Sequence, residues 1–156
     1  MITQKEIIEI TRRLGFPITG QTLRNYIRSG LVQGAYNVPG GIPGKGISTI
    51  YPIETAIEAT VAKDMLTKNN RKLNSKQVAL ARQISIINNG INPLTREFLI
   101  NYIKKSGGKI IDNSSINSKF TTLEINNTII SVNLLLNLTN EWTTKMLITK
   151  EKVNNL

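Results

Sequence analysis

Cysteine and histidine are both absent from the 156 residues. With them go disulfides, thiolate nucleophiles, the usual zinc ligand sets and every Ser-His or Cys-His catalytic arrangement. Aromatic side chains are scarce, 5% of the chain against 40% hydrophobic residues overall, so the core must be built mainly from Ile and Leu. No apolar run approaches the roughly 18 residues that a membrane span needs. The opening residues MITQKEIIEI lack the basic-then-apolar layout of a secretion signal, and the protein is expected to stay in the cytoplasm with no membrane contact. Sequons at Asn113, Asn126 and Asn137 carry no weight in so Asn-rich a chain.

Acid is the other shortage. Asp and Glu number 10 against 20 Lys and Arg, a formal net charge of +10, which asks for an anionic partner such as nucleic acid. The deficit is local. Between Glu9 and Glu54 there is no acid, while Arg12, Arg13, Arg24, Arg28 and Lys45 fall inside the interval. A second acid-free interval, from Asp64 to Glu97, holds Lys68, Arg71, Lys72, Lys76, Arg82 and Arg96. The carboxylates form no catalytic cluster: Glu54 and Glu58 share a helix face and read as solvated surface rather than an acid–base pair. Neither enzymatic activity nor a cofactor is expected.

What is present is legible as short elements. Thr3-Gln4-Lys5-Glu6 has capping-box spacing and predicts a helix to about Leu14, with Ile7, Ile10 and Leu14 inward and Gly15 ending it. Thr19 caps a second helix, with Leu23 and Ile27 inward and Tyr26 beside them, stopped at Ser29-Gly30. Two short helices joined by a brief turn form a helix-turn-helix. Leu31-Val32 and Ile47 to Tyr51 read as strands flanking a Gly- and Pro-rich wing, and Pro52 opens a third helix bearing Ile53, Ile57 and Val61. Beyond a basic linker, a helix is predicted from about Ser75 to Ile87, a break at Asn88-Asn89-Gly90, and another helix from Pro93 to Gly107-Gly108. Strands are predicted at Ile110-Ile111, Phe120 to Ile125 and Thr128 to Leu138, with Asn126-Asn127 as a hairpin turn. Met146 to Thr149 reads as a last strand or as part of a helix.

Gly40-Gly41-Ile42-Pro43-Gly44-Lys45-Gly46 invites a phosphate-loop reading and fails it. Only three residues separate the outer Gly from Gly44-Lys45, and Gly46 stands where Ser or Thr is required. Lys45 is better placed as a phosphate-directed cation at a wing tip. On the second helix, Thr19, Gln21, Thr22, Asn25 and Arg28 are available to a major groove, while Arg24 and Tyr26 can reach phosphates.

The segments Thr22-Leu23-Arg24-Asn25-Tyr26, Gly30-Leu31-Val32 and Ile50-Tyr51 resemble the MerR-type winged helix-turn-helix over the first 66 residues. The resemblance implies DNA binding through Arg12, Arg13, Thr19, Gln21, Thr22, Arg24, Asn25, Tyr26, Arg28, Lys45 and Tyr51. The family's long dimerisation helix is not expected, because Asn88-Asn89-Gly90 and Pro93 interrupt it.

The expected protein is therefore α+β. A winged helix-turn-helix over residues 1–68 and a basic linker over 69–76 precede a helical and β-meander module over 77–156 that serves oligomerisation or partner contact. The expected function is sequence-specific binding of double-stranded DNA in transcription regulation. An accessory factor for recombination, excision or plasmid segregation is the alternative within DNA binding, and a basic RNA- or protein-binding adaptor the alternative outside it. A homodimer is expected, joined from Ser75 onward through the Ile84–Ile87 stripe or the β-rich tail. No effector or protein partner can be named.

Overall fold

The capping box closes as its spacing requires. Thr3 N–H donates to Glu6 Oε2 at 2.7 Å and Glu6 N–H to Thr3 Oγ1 at 3.3 Å, starting α1 at Gln4–Arg13. Gly15 follows at φ 90°, the left-handed conformation that a residue with a Cβ adopts at a cost. Thr19 caps α2, Gly20–Arg28, by accepting from Thr22 N–H at 3.1 Å, and Gly30 (φ 76°) ends the turn beyond it. The computed structural model describes residues 1–39, 47–67, 72–88, 94–111 and 121–156, and they form an α+β protein. No helix among them is long and apolar enough to cross a membrane.

The residues after α2 depart from expectation. Leu31 and Val32 are not a strand. They are buried loop residues, 0% and 3% exposed, and the Leu31 amide is spent on Tyr26 O at 2.9 Å. The hairpin starts later, with β1 (Tyr36–Pro39) antiparallel to β2 (Ile47–Ile50) in the register Tyr36 with Ile50 and Pro39 with Ile47. Tyr51 continues past β2 into an antiparallel bridge with Ile2, each amide donating to the other's carbonyl at 2.7 Å.

Next comes α3, Ile53–Thr67, in which every residue from Thr55 to Val61 is buried and Ala62 and Met65 as well. Small side chains on all sides let neighbouring elements approach it all round, which is what a helix apolar on every face does. Glu58 lies in this run at 4% exposure, so it is a buried carboxylate, correcting its placement on a solvated surface.

Two compact units divide the chain: Met1–Lys72 with Met146–Leu156, and Leu73–Lys145. The second contains α4 (Ser75–Ile87), opened by a capping box between Asn74 and Gln77, and α5 (Arg96–Lys105), capped by Thr95. Pro93, expected to open α5, lies outside the described residues. Ile84 is fully buried, so of the expected contact stripe only Ile86 and Ile87 are exposed.

Strands β3 (Lys109–Ile110), β4 (Thr122–Ile125) and β5 (Thr128–Ser131) form an antiparallel sheet in sequential order, a meander. The predicted turn is there, with Asn126 and Asn127 both at positive φ, 51° and 61°, as a two-residue hairpin of matching twist demands. At Gly108 a Cβ would lie 2.9 Å from Ile103 O and 3.0 Å from Glu124 O, so only glycine lets the chain pass between α5 and β4.

The strand predicted to reach Leu138 stops at Ser131. Its hydroxyl accepts from Leu134 N–H at 3.1 Å and α6 begins, running from Val132 to Asn154. Met146 to Thr149 are therefore helical. Buried Leu135, Leu138, Thr139, Trp142 and Thr143 recur at helical spacing along α6. Two polar contacts cross the second unit's core: Ser85 and Thr143 share a hydroxyl hydrogen bond at 2.7 Å, and Asn140 Oδ1 accepts from Leu94 N–H at 2.8 Å.

Candidate nucleic-acid interface

The nine residues of α2 sort by face. Leu23 is fully buried, Tyr26 is 9% exposed, and Thr22 and Ile27 are half-buried. Gln21, Arg24, Asn25 and Arg28 are all exposed. Their spacing of three, one and three residues places them in a single stripe along the helix. Buried anchors on one side hold the helix down, and the other side offers two amides and two guanidiniums to solvent with no carboxylate in the helix.

These side chains are joined to one another. Arg24 Nη2–H donates to Gln21 Oε1 at 3.0 Å, and Gln21 Nε2–H donates to Asn25 Oδ1 at 3.0 Å. Thr19 lies at the helix start, where its hydroxyl also bonds that of Thr22 at 3.0 Å. Its oxygen is thus committed to capping, and Thr22 is drawn into the same small cluster.

Other residues of the expected set fall elsewhere. Arg13 is exposed at the end of α1. Arg12 is exposed too, but its Nε–H donates to Glu9 Oε2 at 3.0 Å and a second guanidinium nitrogen reaches Glu9 Oε1. That hydrogen bond holds the Glu9 carboxyl below its ordinary pKa and pushes Arg12 up. Glu9, which bounds the acid-free interval in sequence, partly neutralises its first cation in space. Tyr26 and Tyr51, at 9% and 5% exposure, belong to the core. Burial pushes the Tyr26 phenol above its ordinary pKa, so it stays neutral. Lys45 lies outside the described residues.

Comparisons with family models, with curated proteins and with solved structures find no match.

Sequence reasoning missed what positions the hairpin. Glu58 Oε1 accepts from Gln33 N–H at 2.9 Å, and Thr55 Oγ1–H donates to Gln33 O at 3.2 Å. One turn of α3 therefore holds both backbone groups of Gln33, in the loop between α2 and β1. Gln33 Nε2–H in turn donates to Tyr36 Oη, at the first residue of β1, at 2.9 Å. The signal was in the composition of α3. A helix of Ala, Thr and Val on every side must be buried all round, and a mid-helix acid in it must find a donor.

Proposed function

We propose that the first unit is a winged helix-turn-helix, similar to the MerR type, that binds double-stranded DNA sequence-specifically and regulates transcription. The observation that carries this reading is the outward stripe of Gln21, Arg24, Asn25 and Arg28 on a helix whose opposite face is buried. An α-helix is about 10–12 Å across with its side chains, a diameter that a major groove about 12 Å wide admits. Amide and guanidinium groups are the side chains that read base edges there, and guanidiniums also hold phosphates. The β1–β2 hairpin, tied at one end to α3 through Gln33 and at the other to Ile2, serves as the wing beside the groove. A single helix of nine residues reads few base pairs, so two copies act together as a homodimer on half-sites about 34–36 Å apart.

Fluorescence anisotropy with duplex DNA at several salt concentrations tests the reading. If each protomer neutralises about four to six phosphates, the logarithmic salt slope is roughly −4 to −5 per protomer. Arg28→Ala makes that slope shallower by about 0.9. Asn25→Ala costs about 1–3 kcal/mol on the preferred site and little on a scrambled duplex. Affinity that is flat with salt, or no duplex binding at low salt, refutes the proposal.

A further inference from the structure

The hydrogen bonds along the α2 stripe have a fixed direction, and that direction dictates which bases suit it. A guanidinium has donors only. The contact of Arg24 Nη2 with Gln21 must therefore be made to the amide oxygen, Oε1. With that oxygen turned toward Arg24, the Gln21 NH2 group faces Asn25 and donates to Oδ1. The acceptor of Asn25 is thereby engaged within the protein, and its Nδ2 hydrogens are what it offers a ligand.

An unconstrained asparagine presents one donor and one acceptor, the pair that matches the N6 and N7 edge of adenine. With one lone pair of Oδ1 already taken by Gln21, Asn25 presents its Nδ2 donors foremost. Guanine meets donors with two acceptors, O6 and N7, and thymine with O4. Adenine offers one acceptor, N7, beside an amino group, and cytosine an amino group alone, so both match paired donors less well. Arg28 adds only donors to the same stripe.

We infer that Arg24, acting through Gln21, orients Asn25 to read a keto base in the major groove, guanine foremost. The inference rests on the proposed DNA-binding reading and deepens it. Arg24 is here a positioning residue, and its other N–H groups stay available to phosphate. In water this exposed relay competes with solvent, but docking on DNA excludes that water and strengthens it.

The experiment uses the full chain. Selection from a random duplex library yields the preferred site, and the base read by Asn25 is the one whose preference disappears in Asn25→Ala. Anisotropy is then measured with guanine and with adenine at that base pair. The wild-type protein favours guanine by about tenfold or more. Gln21→Leu breaks the relay without removing charge, and it brings the guanine-to-adenine ratio close to one while the salt slope is unchanged. Arg24→Met also brings the ratio close to one and makes the slope shallower. Arg24→Lys, which still carries only donors, keeps the preference. All three positions are exposed, and circular dichroism confirms that the variants fold.

Specific binding with adenine at the Asn25 base overturns the inference and leaves the DNA-binding reading standing. So does a guanine preference that survives Gln21→Leu. Absence of sequence-specific duplex binding removes the reading and the inference together.

Discussion

Glu58 shows how one residue connects the hidden core to the exposed surface. Its carboxylate is 4% exposed and receives the amide of Gln33, from which the chain turns toward β1. Hydrogen bonds to a charged acceptor contribute about 1.5–3 kcal/mol, and removing the acceptor leaves the part-buried Gln33 N–H without this partner. Glu58→Leu should therefore lower stability by about 1.5–3 kcal/mol in urea unfolding, and Glu58→Gln, which keeps an acceptor oxygen, by clearly less. At this scale the sequence was legible wherever the physics is local. Thr3 and Thr19 cap as read because a hydroxyl and an amide three residues on are neighbours in any helix start. Tyr26, Tyr51 and Glu58 were placed too far outward, because burial depends on segments distant in sequence.

Among the elements, α1 to α5 lie close to where periodicity and caps put them, and the Asn126-Asn127 turn is formed by the residues that tolerate positive φ. The error fell at Ser131. Thr128 to Leu138 consists of Ile, Val, Leu and Thr apart from Ser131, Asn133 and Asn137, and such a stretch does not by itself distinguish a strand from a buried helix. The boundary is set by a side chain: Ser131 Oγ accepts the Leu134 amide and starts α6. Ser131, ahead of a stretch with three-and-four spacing, is a start signal that the strand reading of this run did not use. Ser131→Ala should lower stability by about 0.5–2 kcal/mol, measured by thermal or urea unfolding. Loss of helix content near residue 132, followed by amide exchange, would locate the effect at the α6 start. The loop residues Leu31 and Val32 are the converse case. Two apolar residues were read as a strand where they serve to plug the core after a helix has ended.

For the whole molecule, the proposed homodimer can be examined through the apolar residues left exposed in α4. Ile86 and Ile87, at 53% and 46% exposure, are the members of the expected contact stripe that remain accessible, since Ile84 packs inside the second unit. Light scattering should give the mass of two chains, and Ile86→Glu with Ile87→Glu should give the mass of one. The double variant should also bind a two-half-site duplex no more tightly than a single half-site. A wild-type monomer both free and on DNA would remove the dimer from the proposal. The excess of basic residues is the feature from which composition alone leads to the expectation of an anionic partner. It could not forecast which cations are spent inside the protein, as Arg12 is on Glu9, because sequence intervals do not register a neighbour one helical turn away.

The bridge between Ile2 and Tyr51 has a bearing on the order in which the first unit is made. Its two amides and two carbonyls are paired only when residue 51 reaches residue 2, after α1, α2 and the hairpin have been traversed. A contact so distant along the chain is gained late, because the loop it closes must first surrender its freedom. Closing it brings the hairpin base and the residue ahead of the α1 cap together in one step, since both hydrogen bonds of the bridge form between the same two residues.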